Sequence, residues 1–220
     1  EDSRFKEASI QDVAKFMESR KTVAVDTETE GFFDFDNDVI MLQVGDCVDQ
    51  YVIDTRGLDI SLLKPYFESN TITKVFWNAK FDINFLRHSF GFRVNNVYDC
   101  FLAESLLNAG YKDAKLSLGA GAIKYCNKVL NKEVRNKFTN LEGIPFNSSQ
   151  IVYGAEDVEY LLKIKEIQER LIEEQDLERV LYLENNAVLA IADIEYNGIC
   201  IDTQRWIEVA VKTEALTDEY

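Results

Sequence analysis

Histidine is almost missing from this chain of 220 residues, which also holds only 2 prolines and 4 cysteines and has fewer basic than acidic side chains. The single histidine, His88, and the widely spaced Cys47, Cys100, Cys126 and Cys200, with no CxxC pair, leave no ligand set for a structural zinc ion. Reduced and mostly buried thiols are expected instead. No stretch approaches the ~18 consecutive apolar residues of a membrane span. The opening EDSRFKEASI lacks the basic and apolar regions of a secretion signal. These absences predict an intracellular location with no membrane association, where the sequon Asn147-Ser148-Ser149 is a turn rather than a glycosylation site. Internal repeats and low-complexity segments are absent too.

What the chain does have is apolar material for a core: 46% hydrophobic residues, over a length suited to one ordinary domain and a short extension. Thr22 to Asp26, Val39 to Gly45 and Gln50 to Asp54 read as three strands. Turn residues at Asp34 to Asp38 and Asp46 to Asp49 separate them, and connections this short predict an antiparallel meander. A helix near Leu58 to Glu68, a short strand Thr73 to Phe76, a helix from Lys80 to Phe90 and an extended piece around Val94 to Tyr98 follow. Helices over Cys100 to Asn108 and Leu116 to Cys126 precede the irregular stretch Gly143 to Ser149. Beyond it, Ser148 to Glu174 and Leu177 to Asn197 keep helical apolar spacing with almost no breakers. One mixed sheet with flanking helices is the economical α/β fold, with a largely helical C-terminal third.

Four acidic residues stand out against this pattern. Asp26 and Glu28, in VAVDTETEGF, are two apart at a strand's end, so alternation points both to one face. Asp82, in WNAKFDINFL, falls in the first turn of a helix with Asn78 at its N-cap position and an apolar stripe of Phe81, Phe85 and Leu86. The helix dipole by itself favours an acid there. Tyr153 and Asp157, in VYGAEDVEYL, lie one helical turn apart, at the edge of the apolar side defined by Val152, Leu161 and Leu162. Each feature alone is compatible with ordinary packing or solvation. Together, hard oxygen donors on a strand, a helix start and a late helix form a set expected for Mg²⁺ or Mn²⁺, and the tyrosine beside them suggests a two-metal phosphodiesterase.

The net charge of −15 at first speaks against a nucleic-acid substrate. Bound divalent cations, however, reverse the local sign of a carboxylate site. From Lys112 to Lys137 seven basic residues face two acidic ones, a local net of +5. That segment is either a groove for a phosphate backbone or a solvated helix face.

DTETEG, NAKFD and YGAED match, in order and in context, the three motifs of the DEDD superfamily of 3′–5′ exonucleases, which this chain resembles over most of its length. Tyr153 stands four before Asp157, as in the tyrosine form of the third motif; the histidine form needs His five before, where Val152 stands. The resemblance implies a ribonuclease H-like α/β fold with a mixed five-stranded sheet, and two divalent metal ions, Mg²⁺ or Mn²⁺. It also implies catalytic roles for Asp26, Glu28, Asp82, Tyr153 and Asp157. Asp26, Glu28 and Asp157 would hold one ion, Asp26 and, largely through waters, Asp82 a second, and Tyr153 would orient the attacking water. Nucleoside 5′-monophosphates would leave from the 3′ end. Phe32 matches the family's apolar residue at the terminal base, although a core place beside Phe33 and Phe35 suits it equally. Asn78, Lys80 and Lys112 are further candidate substrate contacts. Trp77 departs from the pattern, standing where a polar residue is frequent.

The segment Ala190 to Glu208 (AIADIEYNGICIDTQRWIE) resembles the junction where family A DNA polymerases pass from the proofreading exonuclease into the polymerase. On that basis residues 1–183 are expected to form an exonuclease domain and 184–220 the helical start of a truncated polymerase-type domain. The expected partners are a single-stranded DNA 3′ end and a polymerase domain, in cis or as a separate chain. The leading expectation is therefore a DNA-proofreading 3′–5′ exodeoxyribonuclease. Ribonuclease D-like trimming of RNA 3′ ends is the alternative on the same fold. A non-catalytic nucleic-acid-binding scaffold is a third reading, and the intact motif residues count against it.

Overall fold

Strand β1 (Thr22–Thr29) pairs antiparallel with β2 (Val39–Gly45), which pairs antiparallel with β3 (Gln50–Asp54). On its other side β1 runs parallel to β4 (Thr73–Phe76), and β4 parallel to β5 (Val97–Asp99). The resulting order, β3-β2-β1-β4-β5, is the mixed five-stranded sheet of the ribonuclease H-like fold. The computed structural model describes residues 9–31, 36–130, 138 and 143–218.

Because β1 is central, both of its faces need cover, and alternation divides its side chains between two cores. Val23 and Val25 enter one, against Val13 and Phe16 of α1 (Ile10–Glu18) and Ile83 and Leu86 of α3 (Ala79–Phe90). Ala24, between them, enters the other, against Val158 of α6 (Ser148–Glu159) and Leu161 and Ile164 of α7 (Leu161–Glu174). Burying each such aliphatic side chain contributes roughly 1.5–3 kcal/mol before entropy is counted.

The helices depart from the sequence expectation in ways that have local causes. Helix α1 was not anticipated, although Ser9 caps it by accepting from the Asp12 N–H and Val13, Phe16 and Met17 keep helical spacing. The helix expected from Leu58 shrinks to a 3₁₀ turn at Ser61–Leu63 and the short α2 (Lys64–Phe67), with Pro65 in its first turn. The continuous helix expected from Ser148 to Glu174 is broken at Tyr160 into α6 and α7. The remaining helices are α4 (Cys100–Leu107), α5 (Leu118–Cys126), α8 (Glu178–Asn197) and α9 (Thr203–Asp218). Asn147 caps α6 in a reciprocal box with Gln150, a structural task for the sequon asparagine. Only Cys100 is buried; Cys47 and Cys200 are exposed and Cys126 is intermediate, so the expectation of mostly buried thiols fails.

Helix α8 runs through position 184, and its C-terminal half lies on α3. Lys80 meets Glu195 at 2.7 Å, Arg87 meets Asp193 at 2.6 Å, and the Arg87 guanidinium sits 3.9 Å above the Tyr196 ring. Among the described residues no helix is long and apolar enough to cross a membrane.

Candidate active site

The C-terminal end of β1 carries Asp26 and Glu28 on the face that α6 covers. Their cross-strand partners on β2 are Gln43 and Met41, whose side chains are fully buried. Helix α6 reaches this face closely because residue 154 is glycine: a Cβ there would meet Gln43 Nε2 at 2.7 Å and Met41 Sδ at 2.9 Å. One turn on, Asp157 arrives at the strand, and ligand oxygens of Asp26, Glu28 and Asp157 lie within 4.8 Å of one another. Three carboxylates this close repel, and three hard oxygen donors fit a divalent cation such as Mg²⁺ or Mn²⁺. Neither amide atom of Gln43 has a hydrogen-bond partner among the described residues. That orphaned amide is a local cost of ~1–3 kcal/mol beside Asp26.

Asp82 is brought to the same cleft in a different state. Thr27, turned by alternation away from Asp26 and Glu28, donates its hydroxyl to Asp82 Oδ1 at 2.6 Å. The residue is only 3% exposed. Burial pushes its pKa up to about 7, with the Thr27 hydrogen bond pulling the other way and the charge of Asp99 adding to the rise.

Asp99 is the residue that sequence reasoning missed. Its buried carboxylate accepts from the backbone N–H groups of Asn78 at 2.9 Å, Ala79 at 2.8 Å and Phe101 at 2.9 Å, capping α3 and α4 together. Burial raises its pKa, against those N–H donors. Asn78 holds the expected N-cap position of α3 but makes no side-chain cap; its backbone is left-handed, at φ 71° and ψ 56°. The cap comes from another strand instead. The available signal was an aspartate at a strand's end directly before a helix.

Tyr153 is buried at the edge of the cleft, its ring 5.7 Å from that of Phe138. The cleft, of about 800 Å³, is lined by Asp26, Glu28, Asp82, Tyr153 and Asp157, so all five catalytic candidates meet in one place. An apolar wall of Trp77, Phe81, Phe101, Leu116 and Leu118 belongs to it as well. Of the expected substrate contacts, Asn78 lines the cleft. Lys80 is instead engaged with Glu195. Lys112 is exposed in the α4–α5 connection and is not among the lining residues. Phe32 lies outside the described residues, as do Lys132, Arg135 and Lys137 of the basic segment. Lys124 of that segment spends its charge on Glu104 at 2.7 Å.

A family model described as 3′–5′ exonuclease matches residues 4–173. The human exosome complex component 10 is 31% identical over 143 residues, which cover 64% of this chain and 16% of that protein. Ribonuclease D of Acidiphilium cryptum is 30% identical over 175 residues, covering 76% of this chain and 42% of that one. The chain thus spans less than half the length of either relative. The structure of Brucella melitensis NrnC with bound Mg²⁺ shares the fold, with a TM-score of 0.73 at 21% identity over 82% of this chain and 87% of that one. The DEDD exonucleases use divalent metals, and the Asp26, Glu28 and Asp157 cluster fits them. With its fold, its acidic cluster and a family match over most of its length in agreement, the chain belongs to the 3′–5′ exonuclease family of the DEDD superfamily.

Proposed function

We propose that this exonuclease acts on RNA, removing nucleoside 5′-monophosphates one at a time from single-stranded 3′ ends. The observation that carries the chemistry is the convergence of Asp26, Glu28 and Asp157 within 4.8 Å, on a cleft shared with Tyr153. The choice of RNA over DNA is supported by the ribonuclease D relative, alignable over 76% of this chain. The proofreading role and the polymerase partner expected from Ala190 to Glu208 have no support from the exosome and ribonuclease D relatives. In this reading residues 1–183 carry the catalytic unit and 184–220 a helical extension.

Asp26, Glu28 and Asp157 would hold one divalent ion, and Asp26 and Asp82 would serve a second; Mg²⁺ is the ion in the NrnC structure. When bound, such ions supply Lewis-acid stabilisation of the charge that develops on the phosphate oxygens. Tyr153 directs the attacking water with its hydroxyl, its ring held by Phe138. Asp99 keeps the α3 N-terminus, and with it Asp82, at the cleft. The apolar wall keeps the terminal bases unpaired and away from solvent.

The test is incubation with 5′-labelled RNA and DNA of the same sequence, in Mg²⁺, Mn²⁺ or chelator. The expected result is a metal-dependent mononucleotide ladder that is stronger on RNA. Undiminished cleavage in chelator would sink the metal chemistry, and a preference for DNA would restore the proofreading alternative.

A further inference from the structure

We propose that Trp77 is a stacking platform for an unpaired nucleobase of the strand held in the cleft, a specificity element resting on the exonuclease reading above. Trp77 follows β4, five residues before Asp82, and lines the same cleft as Asp26, Glu28 and Asp157. Its indole is held at two places. Nε1 donates to the Leu116 carbonyl at 3.1 Å. The six-membered ring lies so close to α5 that a Cβ on Gly121 would meet Cη2 at 2.6 Å and Cζ3 at 2.8 Å. Gly121 therefore makes room for the ring, and the ring's one polar atom is satisfied within the protein.

Trp77 is half-buried, and the part of its indole that lines the cleft carries no hydrogen-bonding demand. Phe81, Phe101, Leu116 and Leu118 extend that surface, while Asp26, Glu28 and Asp157 lie elsewhere in the same cleft. Apolar side chains and a carboxylate cluster in one cleft match the two ends of a nucleotide, a base with apolar faces and a phosphate that meets cations. A ring already held in place loses little freedom when a base stacks on it. Stacking also tolerates every base, as end trimming requires.

The backbone supports the same placement. The left-handed Asn78 bends the chain directly after Trp77, a conformation that asparagine tolerates better than most residues. Asp99 holds the bend through the Asn78 and Ala79 N–H groups. Trp77 also packs against the second core, so part of its ring is buried there and the remainder lines the cleft.

The chain has 2 tryptophans, and the other, Trp206, is 69% exposed on α9, away from the cleft. In full-length Trp206→Phe protein, Trp77 is the sole indole emitter. That protein is titrated in Ca²⁺ with a 5′-labelled single-stranded RNA blocked by a 3′-terminal phosphorothioate, and with DNA of the same sequence. Indole emission and label anisotropy are read together. Quenching of Trp77 that follows the anisotropy isotherm is the expected result. In addition, Trp77→Ala should raise KM about tenfold with kcat within about twofold, and Trp77→Phe should recover most of the loss.

A rise in anisotropy with unchanged Trp77 emission overturns the platform and leaves the exonuclease reading standing. Absence of Mg²⁺-dependent mononucleotide release from the unblocked strands overturns that reading and the platform with it. Should Trp77→Ala fail to fold, the emission titration of the Trp206→Phe protein still decides whether a base stacks on Trp77.

Discussion

On the α6 side of the cleft three carboxylates converge to within 4.8 Å, with Asp26 and Glu28 still partly open to solvent. On the α3 side the fourth, Asp82, is shut away and takes a 2.6 Å hydrogen bond from Thr27. The two walls differ because consecutive residues of one strand supply them: Asp26 and Glu28 face α6, and Thr27 between them faces α3. The α6 wall gathers three carboxylates whose mutual repulsion a divalent cation would relieve. On the α3 wall burial raises the carboxyl pKa to about 7, so near neutral pH it carries less charge than an open carboxylate. A constellation that looks uniform in sequence is thus split into a cluster that suits an ion and a buried acid in the lining of the same cleft.

The strongest way to break this contrast is Asp26→Ala. Mononucleotide release should fall on the order of 10³-fold or more, while the melting temperature in chelator stays level or rises, because repulsion in the cluster is relieved. Activity within tenfold of the parent would remove the cluster from the chemistry.

Gly154→Ala comes next. In an ordinary helix this change gains up to about 1 kcal/mol. Here the new methyl meets Gln43 and Met41, neither of which can swing into solvent. A loss of ~1–3 kcal/mol in urea unfolding is expected, with turnover down about 10²-fold as Asp157 is displaced. A stabilised, fully active variant would show that the close seating of α6 is unimportant.

Asp82→Asn tests the other wall through pH. The folded pKa of about 7 lies above the ordinary 3.8, so between those values the folded chain holds a proton that the unfolded chain releases. Stability of the metal-free protein from this group is therefore fully present below about pH 4 and lost as pH rises through 7. In chelator at pH 8 the asparagine variant should be more stable than the parent, by on the order of 4 kcal/mol at most, and the two should coincide near pH 4. Parallel curves across that range would mean that Asp82 is not held protonated. Activity should still fall in the variant, since a neutral amide is a poor cation ligand.

Lys80→Ala sets the lower end. Its partner Glu195 is itself well exposed, so stability should change by less than about 0.5 kcal/mol. Because Lys80 is turned to α8, KM should change by less than about twofold; a large rise would return it to the substrate contacts.

Much of this molecule could be read locally. β2, β3 and β4 coincide with their expected spans, and β1 starts where expected, because apolar runs between turn residues are a local property. The pairing of Asp26 with Glu28 and of Tyr153 with Asp157 followed from strand and helix periods. The misreadings share another cause. Asp99 caps a helix that begins 20 residues earlier in the chain. Trp77 leans on Gly121, and Lys80 is claimed by Glu195, contacts between segments that no periodicity links. The junction resemblance around Gly198 rested on a short segment and pointed to DNA polymerases, whereas the longer alignment is with a ribonuclease D.

By itself the sequence determined the sheet, the three motifs and the chemistry of their donors, because alternation, helical turns and carboxylate hardness act over a few residues. Only the tertiary structure decided which carboxylates converge and which is sequestered. It also decided that a glycine lets α6 reach the sheet, and that a tryptophan is shared between the core and the cleft. Those outcomes depend on packing between elements far apart in the chain, where one Cβ or one buried hydrogen bond sets the distance.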